Sequence, residues 1–278
     1  MAKKTAKILD GKKIAQAIYQ ELKTKSAALK RRPGLAVIMV GDDPASQLYV
    51  RNKRIAAEKI GVDFHLYRCG SKEFYPNITQ IELLEMIDWL NNDLSVDAII
   101  VQLPLPKKYE TKKVLERISG SKDVDAFLSQ PHGIISPLVA AIHVALLATE
   151  TDVHGLQATV VSKNPIFSKP LAASLQADGV KVTAVTPDDP TLQEKTKSAD
   201  ILVSVIGKKN LITQKLVKPG AIVLDAGTVI QPDNSWVGDV DPAVANIAGW
   251  LTPVPGGLGP LTVAMLLKNT IELATHNQ

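Results

Sequence analysis

The chain has 278 residues, 45% hydrophobic and 22% charged, and carries 32 Lys and Arg against 28 Asp and Glu for a net charge of +4. That length suits two domains of ordinary size, and the composition excludes a disordered or fibrous chain. The basic surplus is scattered in pairs, with only Lys30–Arg32 in a run of three, so nucleic-acid binding is not expected.

Cys69 is the single cysteine, which excludes an intrachain disulfide and any multi-cysteine metal site. It follows a strand-like stretch, so a buried structural thiol is expected. The five histidines lack metal-ligand spacing, and no metal is expected. There is neither a signal-peptide core nor an apolar run of membrane-spanning length, so the reading is a soluble, cytoplasmic chain with no membrane partner.

In chain order, residues 10–29 have helical periodicity with Asp10 as N-cap. Residues 35–40, LAVIMV, form a short apolar strand. A helix over 46–60 stops at Gly61, a strand covers 64–68, and a helix over 79–90 opens on a Thr79/Glu82 capping box. The run AIIVQ ends a buried strand at Gln102, before the stiff turn Leu103-Pro104-Leu105-Pro106. Residues 137–148 make an apolar connecting helix. Strands at 158–161, 181–185, 201–206 and 221–225 then alternate with helices at 170–177 and 191–198, the first with Pro170 at N1 and Gly179 past its end. A last helix covers 262–273. Such alternation predicts an α/β protein built on parallel sheets, the second half having the rhythm of a dinucleotide-binding sheet. The expected division is 1–138 plus 262–278 as one domain and 139–261 as the other.

Four segments bear on chemistry. Tyr49 and Lys53 sit at i and i+4 and project from one helix face. Alone, Tyr-x-x-x-Lys is more often a solvated face. Short-chain dehydrogenases use the same spacing for catalysis, but the Gly-rich turn they need upstream is missing here. Gln102 puts an amide at a strand's carboxyl end, where open α/β sheets bind ligands; the plainer reading is a capped strand. Lys122-Asp123-Val124-Asp125 is an acid-rich loop, ordinarily just solvated, yet a carboxylate there can accept from paired N–H donors such as those of a pterin. Residues 253–260, PVPGGLGP, combine three glycines for close backbone approach with three prolines for stiffness, just ahead of a helix N-terminus.

In this order the segments VGDDPASQLYVRNKR, VQLPLP, KDVD, ADILVSVIGK, KPGAIVLDAG, VGDVD and TPVPGGLGPLTVAMLL resemble the bifunctional methylenetetrahydrofolate dehydrogenase/methenyltetrahydrofolate cyclohydrolases, the FolD type, over nearly the whole chain. The resemblance implies an N-terminal α/β domain and a Rossmann-like NAD(P)-binding domain with a folate cleft between them. It implies oxidation of 5,10-methylenetetrahydrofolate to methenyltetrahydrofolate and hydrolysis of that product to 10-formyltetrahydrofolate, in a homodimer joined through the dinucleotide domain. Carried over residue by residue, it makes Lys53 the acid/base group and Gln102 the residue that orients it. Tyr49 packs on the folate ring system and Asp125 holds the pterin, so these four form the catalytic set. Ser46, Leu103, Pro255, Gly256 and Gly257 join Tyr49 and Asp125 in lining the folate. Ser162, Lys163, Asn164, Ser168, Gly207, Gly227 and Thr228 fall at the dinucleotide.

The cofactor side departs from the family. Its G-R-S-x-I-V-G-x-P turn aligns with Ser162-Lys163-Asn164-Pro165-Ile166-Phe167-Ser168-Lys169-Pro170. Both glycines are serines, and Pro165 removes a backbone donor. This predicts a weakened dehydrogenase half. The alternatives are a cyclohydrolase alone, or a non-catalytic folate- or partner-binding paralogue. Beyond the next strand, Thr186-Pro187-Asp188-Asp189 is acidic, which favours NAD over NADP, although Lys163 can still pair a phosphate. Ala126 replaces the family's glycine after K-D-V-D, and the connector is shortened around 135–139.

Overall fold

The structure, a computed structural model, describes residues 5–126, 133–233 and 235–278. The Lys3–Lys4 pair, His132 and part of the shortened connector lie outside the described residues. The chain opens with β1 (Lys7–Ile8), α1 (Gly11–Ala27), β2 (Gly34–Val40), α2 (Pro44–Lys59) and β3 (Asp63–Cys69). Next come α3 (Gln80–Asn92), β4 (Ala98–Val101), α4 (Thr111–Glu116), α5 (Pro137–Leu147), β5 (Gln157–Ser162) and α6 (Pro165–Ala177). They are followed by β6 (Lys181–Val185), α7 (Leu192–Ser198), β7 (Ile201–Val205), β8 (Ile222–Asp225), β9 (Val229–Ile230) and β10 (Trp236–Val237). The chain closes with β11 (Trp250–Leu251) and α8 (Leu258–Asn277). Two compact units result, one of Gln16–Pro137 with Val263–Gln278 and one of Met1–Ala15 with Leu138–Thr262.

The first unit is built on a three-stranded parallel sheet, β3-β2-β4. Every residue of β2 is buried, as a central parallel strand covered on both faces requires. Leu35, Val37 and Met39 join a core completed by Leu266, Leu267 and Ile271 of α8, while Ala36, Ile38 and Val40 face Leu83, Ile87 and Leu90 of α3. The two-residue period of the strand thus serves two cores. The capping box forms as expected: Glu82 N–H donates to Thr79 Oγ1 at 3.2 Å and Thr79 N–H donates to Glu82 Oε2 at 2.7 Å. Asp97, fully buried, accepts both Arg31 guanidinium donors at 2.7 and 2.8 Å and the Gly34 N–H at 2.8 Å, tying the entry to β2 to the entry to β4.

The second unit carries a six-stranded parallel sheet, β1-β11-β8-β7-β5-β6. The two-residue strands β1 and β11, too short to show periodicity, extend its edge. Three helices begin earlier than expected, among them α2 at Pro44 rather than 46 and α8 at Leu258 rather than 262. Helix α6 begins at Pro165, not Pro170, because Asn164 caps it by accepting the Ile166 N–H at 3.0 Å. Pro165 then occupies the favoured first position and Pro170 lies inside the helix.

Candidate active site

The first unit gathers Ser46, Tyr49, Lys53, Gln102, Leu103 and Asp125, residues expected at the folate. Asp43 caps α2 by accepting the Ser46 N–H at 2.8 Å, with Pro44 as its first residue. This fixes where the face Ser46, Tyr49, Lys53 points, since i, i+3 and i+7 share a helix face. Lys53 is only 8% exposed, so the solvated-face reading fails. Its Nζ donates to Gln102 Oε1 at 2.9 Å, and Gln102 Nε2 donates in turn to Leu103 O at 2.7 Å. The amide therefore points its oxygen at the ammonium. Tyr49 and Leu103 are half-buried, Ser46 buried.

Asp125 reaches the same site from a braced loop. Ile99 N–H donates to Lys122 O at 2.7 Å, and Lys122 Nζ donates to Leu90 O at 3.1 Å and Asp93 O at 2.7 Å. Asp123 accepts the Ala126 N–H at 3.1 Å. Asn269 of α8 donates to Val124 O at 3.1 Å and Ile135 O at 2.9 Å, one carbonyl on either side of the loop. Lys122 was visible only as part of the acid-rich segment, and nothing in the sequence pattern singled out Asn269, because both act on backbone carbonyls far away in sequence. Burial pulls the Lys53 ammonium below its ordinary 10.5, and the Asp125 charge opposes that shift. Burial pushes the Asp125 carboxyl up to about 7, against the pull of Lys53 and with a contribution from Asp123. A base and an acid that both titrate nearer neutrality than usual are what proton transfer at neutral pH needs.

Pro255, Gly256 and Gly257 belong to the second unit. Gly256 has φ +112°, and Gly257 N–H closes the turn on Pro253 O at 2.8 Å. A Cβ on Gly257 would sit 2.6 Å from Pro253 O. The start of α1 packs here as well, with Lys12 N–H donating to Gly256 O at 3.1 Å.

The residues expected at the dinucleotide lie at strand ends and in the first turns of α6 in the same unit. Ser162 ends β5, and its Oγ exchanges hydrogen bonds of 3.2 Å with the Asn164 backbone. Lys163 is exposed beside Asp188, and Ser168 lies in the first turns of α6, its N–H donating to Asn164 O at 3.3 Å. Gly207 follows β7 with φ +76°, and Gly227 and Thr228 follow β8. These carboxyl ends and the α6 N-terminus form the usual place and polarity for a pyrophosphate. Among the described residues no cluster of His, Cys, Asp and Glu could hold a metal ion, and no helix is long and apolar enough to cross a membrane. Cys69 is buried, and burial pushes its thiol up to about 11.

The catalytic-domain model of the tetrahydrofolate dehydrogenase/cyclohydrolase family matches residues 9–125, and the family's NAD(P)-binding-domain model matches 137–278. The chain is 42% identical to a bifunctional protein FolD of Bordetella bronchiseptica, over 97% of this chain and 98% of that one. The structure of the bifunctional FolD dehydrogenase/cyclohydrolase of Campylobacter jejuni superposes with a TM-score of 0.90 at 37% identity, covering 98% of this chain and 100% of that one. The Trypanosoma brucei methylenetetrahydrofolate dehydrogenase-cyclohydrolase, in complex with NADP and an inhibitor, gives 0.90 at 32% identity, with 98% of each chain covered.

The expectation of a doubtful dehydrogenase half is therefore overturned, since the NAD(P)-binding domain is matched throughout. The physical reason lies in the altered turn. Among the described residues, the non-glycine ones with positive φ are Tyr75, Ala126, Glu150 and Asn210, so neither Ser162 nor Ser168 adopts a conformation that needs glycine. Pro165, at the first helical position, removes an N–H that has no intrahelical acceptor in any case. The chain belongs to the tetrahydrofolate dehydrogenase/cyclohydrolase family.

Proposed function

We propose that this chain oxidises 5,10-methylenetetrahydrofolate and hydrolyses the methenyl product to 10-formyltetrahydrofolate, with Lys53 as the proton-transfer group of the second step. The observation that carries the assignment is the buried Lys53 ammonium, 2.9 Å from Gln102 Oε1 and within the field of Asp125. A bound nicotinamide dinucleotide supplies the hydride acceptor for the first step. In the second, neutral Lys53 takes a proton from water as it adds to the methenyl carbon. The same proton goes to N5 as the carbon–N5 bond breaks, and the carbinol hydroxyl releases its remaining proton to solvent as the formyl C=O forms, so Lys53 is regenerated and one proton is released overall. Gln102 holds Nζ in place, Tyr49 offers its ring face to the pterin, and Asp125 accepts from the pterin N–H donors. Ser46, Leu103, Pro255, Gly256 and Gly257 line the folate. The working division assigns the folate to residues 1–138 plus 262–278 and the dinucleotide to 139–261.

For the dinucleotide, Ser162, Lys163, Asn164, Ser168, Gly207, Gly227 and Thr228 are the binding residues, and we infer NAD over NADP. Asp189 is already engaged by Thr191 N–H at 2.8 Å, Thr191 Oγ1 at 2.6 Å and Lys195 Nζ at 3.1 Å. Asp188 is the acid left to meet a ribose, its carboxyl held low first by the Thr186 hydroxyl. A homodimer in the cytoplasm completes the proposal, supported by family membership. The test is loss of methenyltetrahydrofolate absorbance in wild type and Lys53→Met. The variant should be slower by about two orders of magnitude or more; equal rates would remove Lys53 from the chemistry.

A further inference from the structure

The aspartates of two motifs carry no role so far, LDAG at the end of β8 and VGDVD, which runs on from the end of β10. Their aspartates, Asp225 and Asp239, are both buried. Asp239 Oδ2 accepts from Ser204 Oγ at 2.7 Å and Ile206 N–H at 2.8 Å, and its Oδ1 accepts from Lys208 N–H at 2.7 Å. One carboxylate thus grips the backbone on both sides of Gly207. Asp225 Oδ1 accepts from Gly227 N–H at 2.9 Å and Asp239 N–H at 3.1 Å, and its Oδ2 accepts from Val240 N–H at 2.9 Å. The Asp225 N–H donates to Thr252 Oγ1 at 2.7 Å.

The glycines beside them are required by this arrangement. A Cβ on Gly227 would lie 2.1 Å from the Asp239 carboxylate, and one on Gly238 would lie 1.9 Å from Asp225 Oδ2. Asp239 is therefore bonded to the loop after β7 and pressed on the loop after β8. Those are the loops that hold Gly207, Gly227 and Thr228 at the carboxyl ends of adjacent parallel strands.

We propose that Asp239 and Asp225 are positioning residues for the dinucleotide, a buried carboxylate pair that sets the spacing of the two loops which receive it. This rests on the reading that Gly207, Gly227 and Thr228 contact the dinucleotide. Two considerations set the pair apart from a simple structural brace. Burying two carboxylates side by side is expensive, and burial pushes Asp225 up to about 7 with the Asp239 charge adding to it. Apolar side chains would brace a loop at lower cost, but they offer no acceptors to backbone N–H groups. Moreover, both oxygens of the Asp239 carboxylate accept from donors, so an amide NH2 in place of either oxygen would face a donor.

Asp239→Asn keeps the shape but turns one acceptor into a donor that faces a donor. Binding of NAD and NADP is measured by calorimetry, and the dinucleotide KM and kcat of the dehydrogenase are measured alongside. The cyclohydrolase rate on supplied methenyltetrahydrofolate is the internal reference. The expected result is dinucleotide affinity weakened by about tenfold or more, a KM that rises more than kcat falls, and a cyclohydrolase rate within about twofold of wild type. Unchanged dinucleotide affinity overturns the proposal, as does an equal fall in both activities. If Asp239→Asn does not fold, Ser204→Ala removes a single donor and must weaken binding by about threefold; no change overturns the proposal. Gly207→Val separates the two levels of inference. If it weakens dinucleotide binding while the Asp239 and Ser204 variants do not, the loops are correctly assigned and the positioning role is wrong. If none of the variants has an effect, the loop assignment falls and the proposal with it.

Discussion

Replacing Gln102 by Leu should shift the pH profile of the cyclohydrolase to lower pH. The side chains are close in volume, so the change removes chemistry more than packing. What is lost is the Oε1 acceptor 2.9 Å from the Lys53 ammonium. A hydrogen bond to a charged group contributes about 1.5–3 kcal/mol, and one pKa unit corresponds to about 1.36 kcal/mol, so Lys53 should drop by roughly one to two units. The sign follows from the acceptor's preference for the charged form: removing it favours neutral Lys53, adding to the downward shift that burial already imposes. The limb on which Lys53 must lose its proton then moves down by that amount, while the plateau falls because Nζ is no longer aimed. Gln102→Glu should move the limb up, since a carboxylate stabilises the ammonium. Rates of methenyltetrahydrofolate loss between pH 6 and 10 read both. A limb that stays in place in both variants would refute the reasoning and leave Gln102 as a packing residue.

Ala126 has φ +50°, which costs an L-residue about 1–2 kcal/mol, partly offset by its smaller unfolded-state entropy. Ala126→Gly should therefore raise stability by roughly 0.5–1 kcal/mol, seen as a higher denaturant midpoint with an unchanged slope. Asp188→Ser removes the charge that faces a 2′-phosphate while Lys163 stays. The NADP-to-NAD affinity ratio from calorimetry should rise by about five- to tenfold, and an unchanged ratio would place the ribose elsewhere.

The elements with strong local signals were legible. The Thr79/Glu82 box, the Asp10 helix start and the fully apolar β2 each announce themselves within a few residues. The grouping of Lys53, Gln102 and Asp125 was legible only through the order of the motifs, since no spacing rule joins residues 53, 102 and 125. Ser162–Pro170 was misread for a definite reason. An ungapped alignment transfers glycine positions but not backbone dihedrals, and here a two-residue turn ending in the Asn164 cap removes the need for glycine. Strands β1 and β11 were illegible because two residues cannot show a period, and their pairing exists only in the folded sheet. The Asp225–Asp239 pair is 14 residues apart across a hairpin, and acid-rich text of that kind usually reads as solvated surface.

The braces around Asp125 follow from the energetics of Lys53. A lysine 8% exposed keeps its depressed affinity for protons only while water stays out. Asp125 is raised by the same exclusion and opposes it by its charge. If the Asp125 loop moved outward, both groups would be rehydrated together, and each would return toward its ordinary value and lose its fitness for proton transfer at neutral pH. The loop cannot hold itself, because it carries a strained Ala126. Lys122 fixes its approach through two carbonyls of the α3 end, and Asn269 fixes the carbonyl just before Asp125 from α8. The Lys53–Asp125 pair is thus tuned by residues outside it, and α8, far away in sequence, helps set the protonation of Lys53.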